Sequence, residues 1–188
     1  MPKFTTCCFT GYRPEKIGFD IETDNIDSMS LYFKLSEAVT GMTAKGTRIF
    51  YCGCARGFDL LAAETVLMEK SLTPDVKLIC VKPFENMDEG WSQFWKDKLA
   101  EILDAADEVI TLADSYSRGV YDKRNRYMVD RSGCVITYFD GEKGGTASTI
   151  KYAEKKGIPI VNTANDVIIL PNEEDYYTYY TATLPFCD

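Results

Sequence analysis

The sequence predicts a single α/β domain in which a mainly parallel sheet is flanked by helices. Short apolar, β-prone runs alternate with segments whose apolar residues recur at helical spacing, from residue 4 to residue 161. That alternation specifies parallel strands joined by right-handed crossovers. Glycine-bearing turns follow the strands at 11–13, 53–59 and 141–146. No repeat or low-complexity linker divides the 188 residues, a length suited to one domain with a substantial core.

The first strand is the β-prone run 4–9, closed by Thr10-Gly11-Tyr12-Arg13-Pro14, where Gly and Pro end regular structure. Ser28 is the expected N-cap of a helix running to about residue 43, with Leu31, Leu35, Ala38 and Met42 along one side. Gly46 precedes a second strand at 48–51. The turn Cys52-Gly53-Cys54-Ala55-Arg56-Gly57-Phe58-Asp59 then leads into an apolar-faced helix over 60–68. A third strand spans 76–81 and stops at Pro83. Trp91, Phe94, Trp95, Leu99, Ile102 and Leu103 carry helical spacing through 88–106, where a packing face is the expected role. A fourth strand at 108–112 and a loop at 115–119 precede a basic helix over 121–132. The fifth strand, 134–139, exits through a glycine-rich turn into a helix over 146–156 that ends at Gly157, a good residue to follow a helix. A sixth strand lies at 158–161. Residues 165–188 form a C-terminal extension or edge element: a β-prone run at 167–170, then an acidic, tyrosine-rich segment.

Composition removes several function classes. The chain has no histidine, which excludes Ser-His-Asp and Cys-His catalysis and every histidine-ligated metal site. Seven cysteines, several on expected strands, read as small core residues of a reducing compartment. Cys52 and Cys54 lack the second pair that a zinc site needs, so no metal is expected. No apolar run reaches the roughly 20 residues of a membrane span, and the start lacks a secretory signal, so a cytoplasmic protein without a membrane partner is expected. A net charge of −8 argues against broad nucleic-acid binding. A local basic site is still allowed by Arg118, Lys123, Arg124, Arg126 and Arg131, which also fit a solvated helix face.

In open parallel sheets, ligands bind outside the carboxyl ends of the strands, where all three glycine turns fall. Glycine lets the backbone approach an anion, and a helix start adds a positive dipole. Gly53, Gly57, Gly144 and Gly145 are therefore candidate main-chain phosphate donors, with the Thr146 hydroxyl beside them. Arg13, Arg56 and Arg124 are candidate counter-charges. Asp59 suits a helix cap, and Asp140 with Gly141 a turn. The loops match neither a P-loop nor a G-x-G-x-x-G fingerprint after the first strand.

Four segments together carry a resemblance: Thr10–Pro14, Gly53–Asp59, Arg124-Asn125-Arg126-Tyr127-Met128-Val129-Asp130 and Tyr138-Phe139-Asp140-Gly141. With Gly144-Gly145-Thr146, they resemble the YpsA-like family of the SLOG superfamily over most of residues 4–163. The resemblance implies a Rossmann-like fold and a site for a nucleotide or ADP-ribose-type ligand, in which Asp59 or Asp130 would hold a ribose hydroxyl, and it adds Gly11, Asn125 and Asp140 to the candidates. A sensing or regulatory role follows as the expectation, with no catalytic residue assigned. Two other branches of the superfamily imply alternatives. The LOG branch implies a nucleoside-monophosphate N-glycosidase, with Arg124 matching its arginine; yet Thr146 is followed by Ala147-Ser148-Thr149-Ile150, without the expected Glu. The DprA branch implies single-stranded DNA binding, with Tyr12 and Tyr127 as stacking candidates. Aromatics around 91–95 leave open a homo-oligomer face or burial in the monomer.

Overall fold

The computed structural model describes residues 4–164 and 167–169. Seven strands form one sheet in the order β4-β3-β2-β1-β5-β6-β7. They are β1 (Thr6–Thr10), β2 (Ile49–Cys52), β3 (Lys77–Lys82), β4 (Glu108–Thr111), β5 (Cys134–Thr137), β6 (Ile160–Asn162) and β7 (Val167–Ile169). The first six are mutually parallel, and β7 pairs antiparallel with β6 as an edge strand. The expected Rossmann-like α/β sheet is thus present, and the β-prone run after residue 165 supplies its edge. The acidic, tyrosine-rich segment beyond it lies outside the described residues.

Strand pleating sorts the core into two layers. On one face Cys7, Phe9, Phe50, Leu78, Cys80 and Ile136 meet α2 (Ile26–Ala44), α3 (Phe58–Leu72) and α4 (Gln93–Ala105). On the other face Cys8, Ile79, Val81 and Val135 meet α5 (Val120–Val129) and α6 (Gly145–Lys155). Successive residues of β1, β3 and β5 alternate between these layers, the period of two that a strand imposes. Cys7, Cys8, Cys52, Cys54, Cys80 and Cys134 are all buried, the core role expected of them.

Two helix starts and one short helix differ from the sequence reading in ways that have a physical cause, while other ends shift by a few residues. α2 starts at the N-cap Asn25, not at Ser28, which instead occupies the third helical position. Asn25 Oδ1 accepts from the Ser28 amide at 3.0 Å, while Ser28 Oγ accepts from the Asn25 amide at 3.0 Å. Such a reciprocal box satisfies donors at both positions, so a serine inside the first turn mimics a cap in sequence. α4 begins only at Gln93, which leaves Trp91 in the preceding loop while Trp95, Leu99 and Ile102 enter the core. A four-residue helix, α1 (Pro14–Ile17), follows the first glycine turn. Proline at a first helical position and a left-handed Gly18 at its end are the local signals for it.

From β1 the chain winds outward through β2, β3 and β4, then returns to β5 on the other side of β1 and continues to β6. The switch in direction lies between β1 and β5. Loops leaving two such strands diverge to opposite faces and open a crevice.

Candidate functional site

A cleft of about 420 Å³ occupies that crevice. Its lining combines the end of β1 and α1 (Gly11, Tyr12, Arg13, Glu15, Lys16), the β2–α3 turn (Ala55, Asp59), α5 (Tyr121, Arg124, Asn125) and the start of α6 (Gly144, Gly145, Thr146). The size suits a small organic ligand.

The floor is a buried ion pair. Arg124 is 5% exposed and Asp59 is 4% exposed, and Arg124 Nη1 donates to Asp59 Oδ2 at 3.2 Å. Asp59 Oδ2 also accepts from the Ala55 amide at 3.4 Å, so it orders the β2–α3 turn rather than capping α3. Gly57 holds the cap position, and no side chain caps that helix. Burial pushes the Asp59 carboxyl up, and the Arg124 guanidinium opposes that rise. Arg124 Nε is buried without a hydrogen-bond partner. Gly53 makes room for the pair: a Cβ there would lie 1.4 Å from Arg124 Nη1 and 2.7 Å from Asp59 Oδ2. In the same turn Cys54 adopts φ 61°, the one non-glycine residue with positive φ among the described residues. A buried left-handed residue costs energy that the surrounding packing must hold.

The walls are tied across the switch point. The Tyr12 hydroxyl donates to Asp140 Oδ1 at 2.6 Å and accepts from the Glu142 amide at 3.0 Å. Thr146 Oγ1 donates to the Gly11 carbonyl at 2.9 Å. Lys16 Nζ reaches Glu142 at 2.9 Å and the Lys143 carbonyl at 3.1 Å, bridging the mouth. Gly11 is required by packing, because a Cβ there would sit 2.3 Å from the Phe58 ring. Gly144 holds the cap position of α6, so no side chain caps that helix. The first amides of an uncapped helix lack intrahelical partners, and the dipole makes that end positive.

The structure gathers most of the candidate residues. Gly11, Arg13, Asp59, Arg124, Asn125, Gly144, Gly145 and Thr146 line one cleft. Gly53 and Gly57 lie immediately behind it. Asn125 donates to Thr149 Oγ1 at 2.8 Å, linking α5 to α6, and Asp140 secures Tyr12 rather than facing the cleft. Arg56 turns to an adjoining cavity and pairs with Glu15 at 2.6 Å. Asp130 is not brought in: it caps the far end of α5, where it holds Tyr152 at 2.8 Å and Lys156 at 2.7 Å. One helix length separates it from the strand ends, a distance that motif proximity conceals. Tyr12 is buried, and the Arg131 guanidinium covers Tyr127 at 3.7 Å, so neither offers a free ring for stacking. Lys16, Glu15 and Tyr121 are cleft residues that the sequence reading did not select. A helix over 14–17 would have pointed to the first two.

An open doubly wound sheet with a glycine-rimmed, arginine-floored crevice at its switch point defines an α/β protein of the Rossmann-like class. The chain belongs to the YspA SLOG family, whose model matches residues 7–164. It is similar to the uncharacterized SPbeta prophage-derived protein YoqJ of Bacillus subtilis strain 168, at 30% identity over 144 residues, covering 70% of this chain and 84% of that one. A UPF0398 protein of Bacillus thuringiensis strain Al Hakam is 27% identical over 168 residues, covering 88% and 91%. Among solved structures, DNA processing protein A of Helicobacter pylori, described for its single-stranded DNA binding mode, matches with a TM-score of 0.55 and 19% identity. That match covers 83% of this chain and 63% of the other. The Streptococcus pneumoniae DNA processing protein A gives a TM-score of 0.56 and 17% identity, covering 84% and 50%. The chain therefore spans less than two thirds of either solved chain, and the likeness is one of fold. No described helix is long and apolar enough to cross a membrane.

Proposed function

We propose that the cleft binds the phosphate of a nucleotide, with ADP-ribose or a related diphosphate as the favoured ligand, in a sensing or regulatory role. The observation that carries this reading is the floor: a buried guanidinium with an unpartnered Nε, beside the uncapped start of α6. A phosphate in the cleft is drawn by both the helix start and the guanidinium charge, because anions are favoured at helix N-termini and pair strongly with guanidinium groups. Arg13 and Lys16, both exposed at the rim, add positive charge. The acidic residues lining the cleft are each held by an arginine, Glu15 by Arg56 and Asp59 by Arg124. That pairing supports binding over carboxylate-driven glycoside cleavage.

The test is thermal denaturation with AMP, ADP-ribose and inorganic phosphate. Both nucleotides should raise the midpoint, by about 2.7 kcal/mol of added stability at a hundredfold excess over Kd. The double variant Arg13→Ala, Lys16→Ala should weaken binding about tenfold or more while preserving the fold, because both residues are at the rim. Absence of stabilisation at millimolar nucleotide would refute the reading. A second reading, single-stranded nucleic acid, is favoured by the fold shared with a DNA processing protein described for that binding mode. Net acidity does not set it aside, since the local charge of the cleft, not the total of −8, meets the ligand. Oligonucleotide binding that is tighter than that of mononucleotides and falls steeply with salt would select it.

A further inference from the structure

We propose that the cleft continues into a second, aromatic subsite that stacks a base, so that the ligand is a dinucleotide, two nucleosides joined through phosphate. This rests on the reading that the first cleft holds phosphate. A second cavity of about 470 Å³ adjoins the first and shares Arg13 and Tyr121 with it. Its remaining walls include Phe84, Trp91 and Tyr116. Phe84 meets Tyr121 at 5.8 Å and Tyr116 at 5.9 Å, both edge-on, which builds a fixed corner of three rings. Tyr116 is nevertheless 65% exposed, so most of this ring is left to solvent.

The chemistry changes sharply across the boundary between the cavities. Arg13 stands on that boundary, its guanidinium 5.5 Å from the Tyr121 ring centroid. Arg56 enters the aromatic cavity from the β2–α3 turn. A cationic divide with an aromatic wall on its far side matches a phosphate whose next group is planar. Arg56 is already paired with Glu15, so a purely apolar occupant would leave Arg13 without an anion, and a lone phosphate would leave the rings unused. Asn86, in the same cavity, offers an amide donor and acceptor to a base edge. Each cavity has the volume of one small-ligand site, so two nucleosides fit one per cavity.

The test compares the affinities of AMP, the 5′-phosphorylated dinucleotide pApA and a ten-nucleotide oligoadenylate by calorimetry. pApA should bind on the order of tenfold tighter than AMP, within the range that one base stacked on an aromatic ring contributes. Tyr116→Ala should abolish that gain, Tyr116→Phe should retain it, and neither should change AMP affinity, since Tyr116 does not line the first cleft. pApA, but not AMP, should quench Trp91, and Trp91→Phe should remove the quench; Trp95, buried in the α4 core, serves as the insensitive reference. Equal affinity for AMP and pApA, or a gain that survives Tyr116→Ala, overturns the subsite while leaving the phosphate reading standing. A gain seen with the decamer alone overturns the dinucleotide in favour of an extended strand. Failure of all three ligands to bind removes the phosphate reading and the subsite together.

Discussion

Two residues of one turn, Gly53 and Asp59, and Arg124 from a distant helix make the floor of the cleft. Each does something that its neighbours in the chain do not announce. Asp59 opens a helix and reads as a cap, yet it spends its carboxylate on Arg124, 65 residues away. Gly53 reads as turn chemistry, yet its missing Cβ is the space in which the guanidinium lies. Gly53→Ala should therefore separate the pair and leave a buried charge uncompensated, at a cost of about 3–5 kcal/mol. Urea denaturation measures it, and a loss below about 1 kcal/mol would mean that the turn yields instead. Such a dependence is invisible along the chain, because steric exclusion between non-neighbours exists only after folding.

At the scale of elements, the cleft is held by loops clasped across the switch point. The Tyr12 hydroxyl is the centre of that clasp, donating to Asp140 and accepting from the Glu142 amide. The Tyr12 hydrogen bond is the main reason that the Asp140 carboxyl sits below its usual range. A depressed folded pKa contributes stability above the unfolded value of about 3.9, and that contribution is lost as pH falls through the folded value. Tyr12→Phe should cost about 1 kcal/mol at pH 7, kept small because Asp140 faces solvent. The difference from wild type should stay constant down to about pH 5 and shrink below it. Denaturation midpoints of both proteins across pH 2–7 check this, and a pH-independent difference would remove Asp140 from the account. Most elements around this clasp were legible as periodicity: Leu31, Leu35, Ala38 and Met42 are all buried on α2 as their spacing implies. α1 was not, because four residues are too few to show a period, and the true start of α2 was masked by a capping box whose inner member is itself a good cap.

The whole molecule is a doubly wound sheet, and its topology predicts where a ligand should be felt. Hydrogen exchange with saturating AMP should slow the amides of 11–16, 53–59 and 140–146, at the carboxyl ends of β1, β2 and β5. The opposite ends of the same strands should not change, since the two core layers between them already protect the backbone. Protection spread evenly over both ends would place the ligand elsewhere. Sequence alone determined the class of fold, the run of strands and helices, and the three glycine turns, since local hydrophobic period and turn chemistry are written in adjacent residues. It also identified the motif arginines and the absence of histidine chemistry. Tertiary structure alone decided which candidates meet. It joined Arg124 to Asp59, sent Asp130 to the far end of α5, committed the Thr146 hydroxyl to Gly11, and opened the aromatic cavity beyond Arg13. The reason is physical: periodicity reports which face of an element is buried, while the company a side chain keeps depends on sheet order. Here that order reverses between β1 and β5, and the cleft exists because it does.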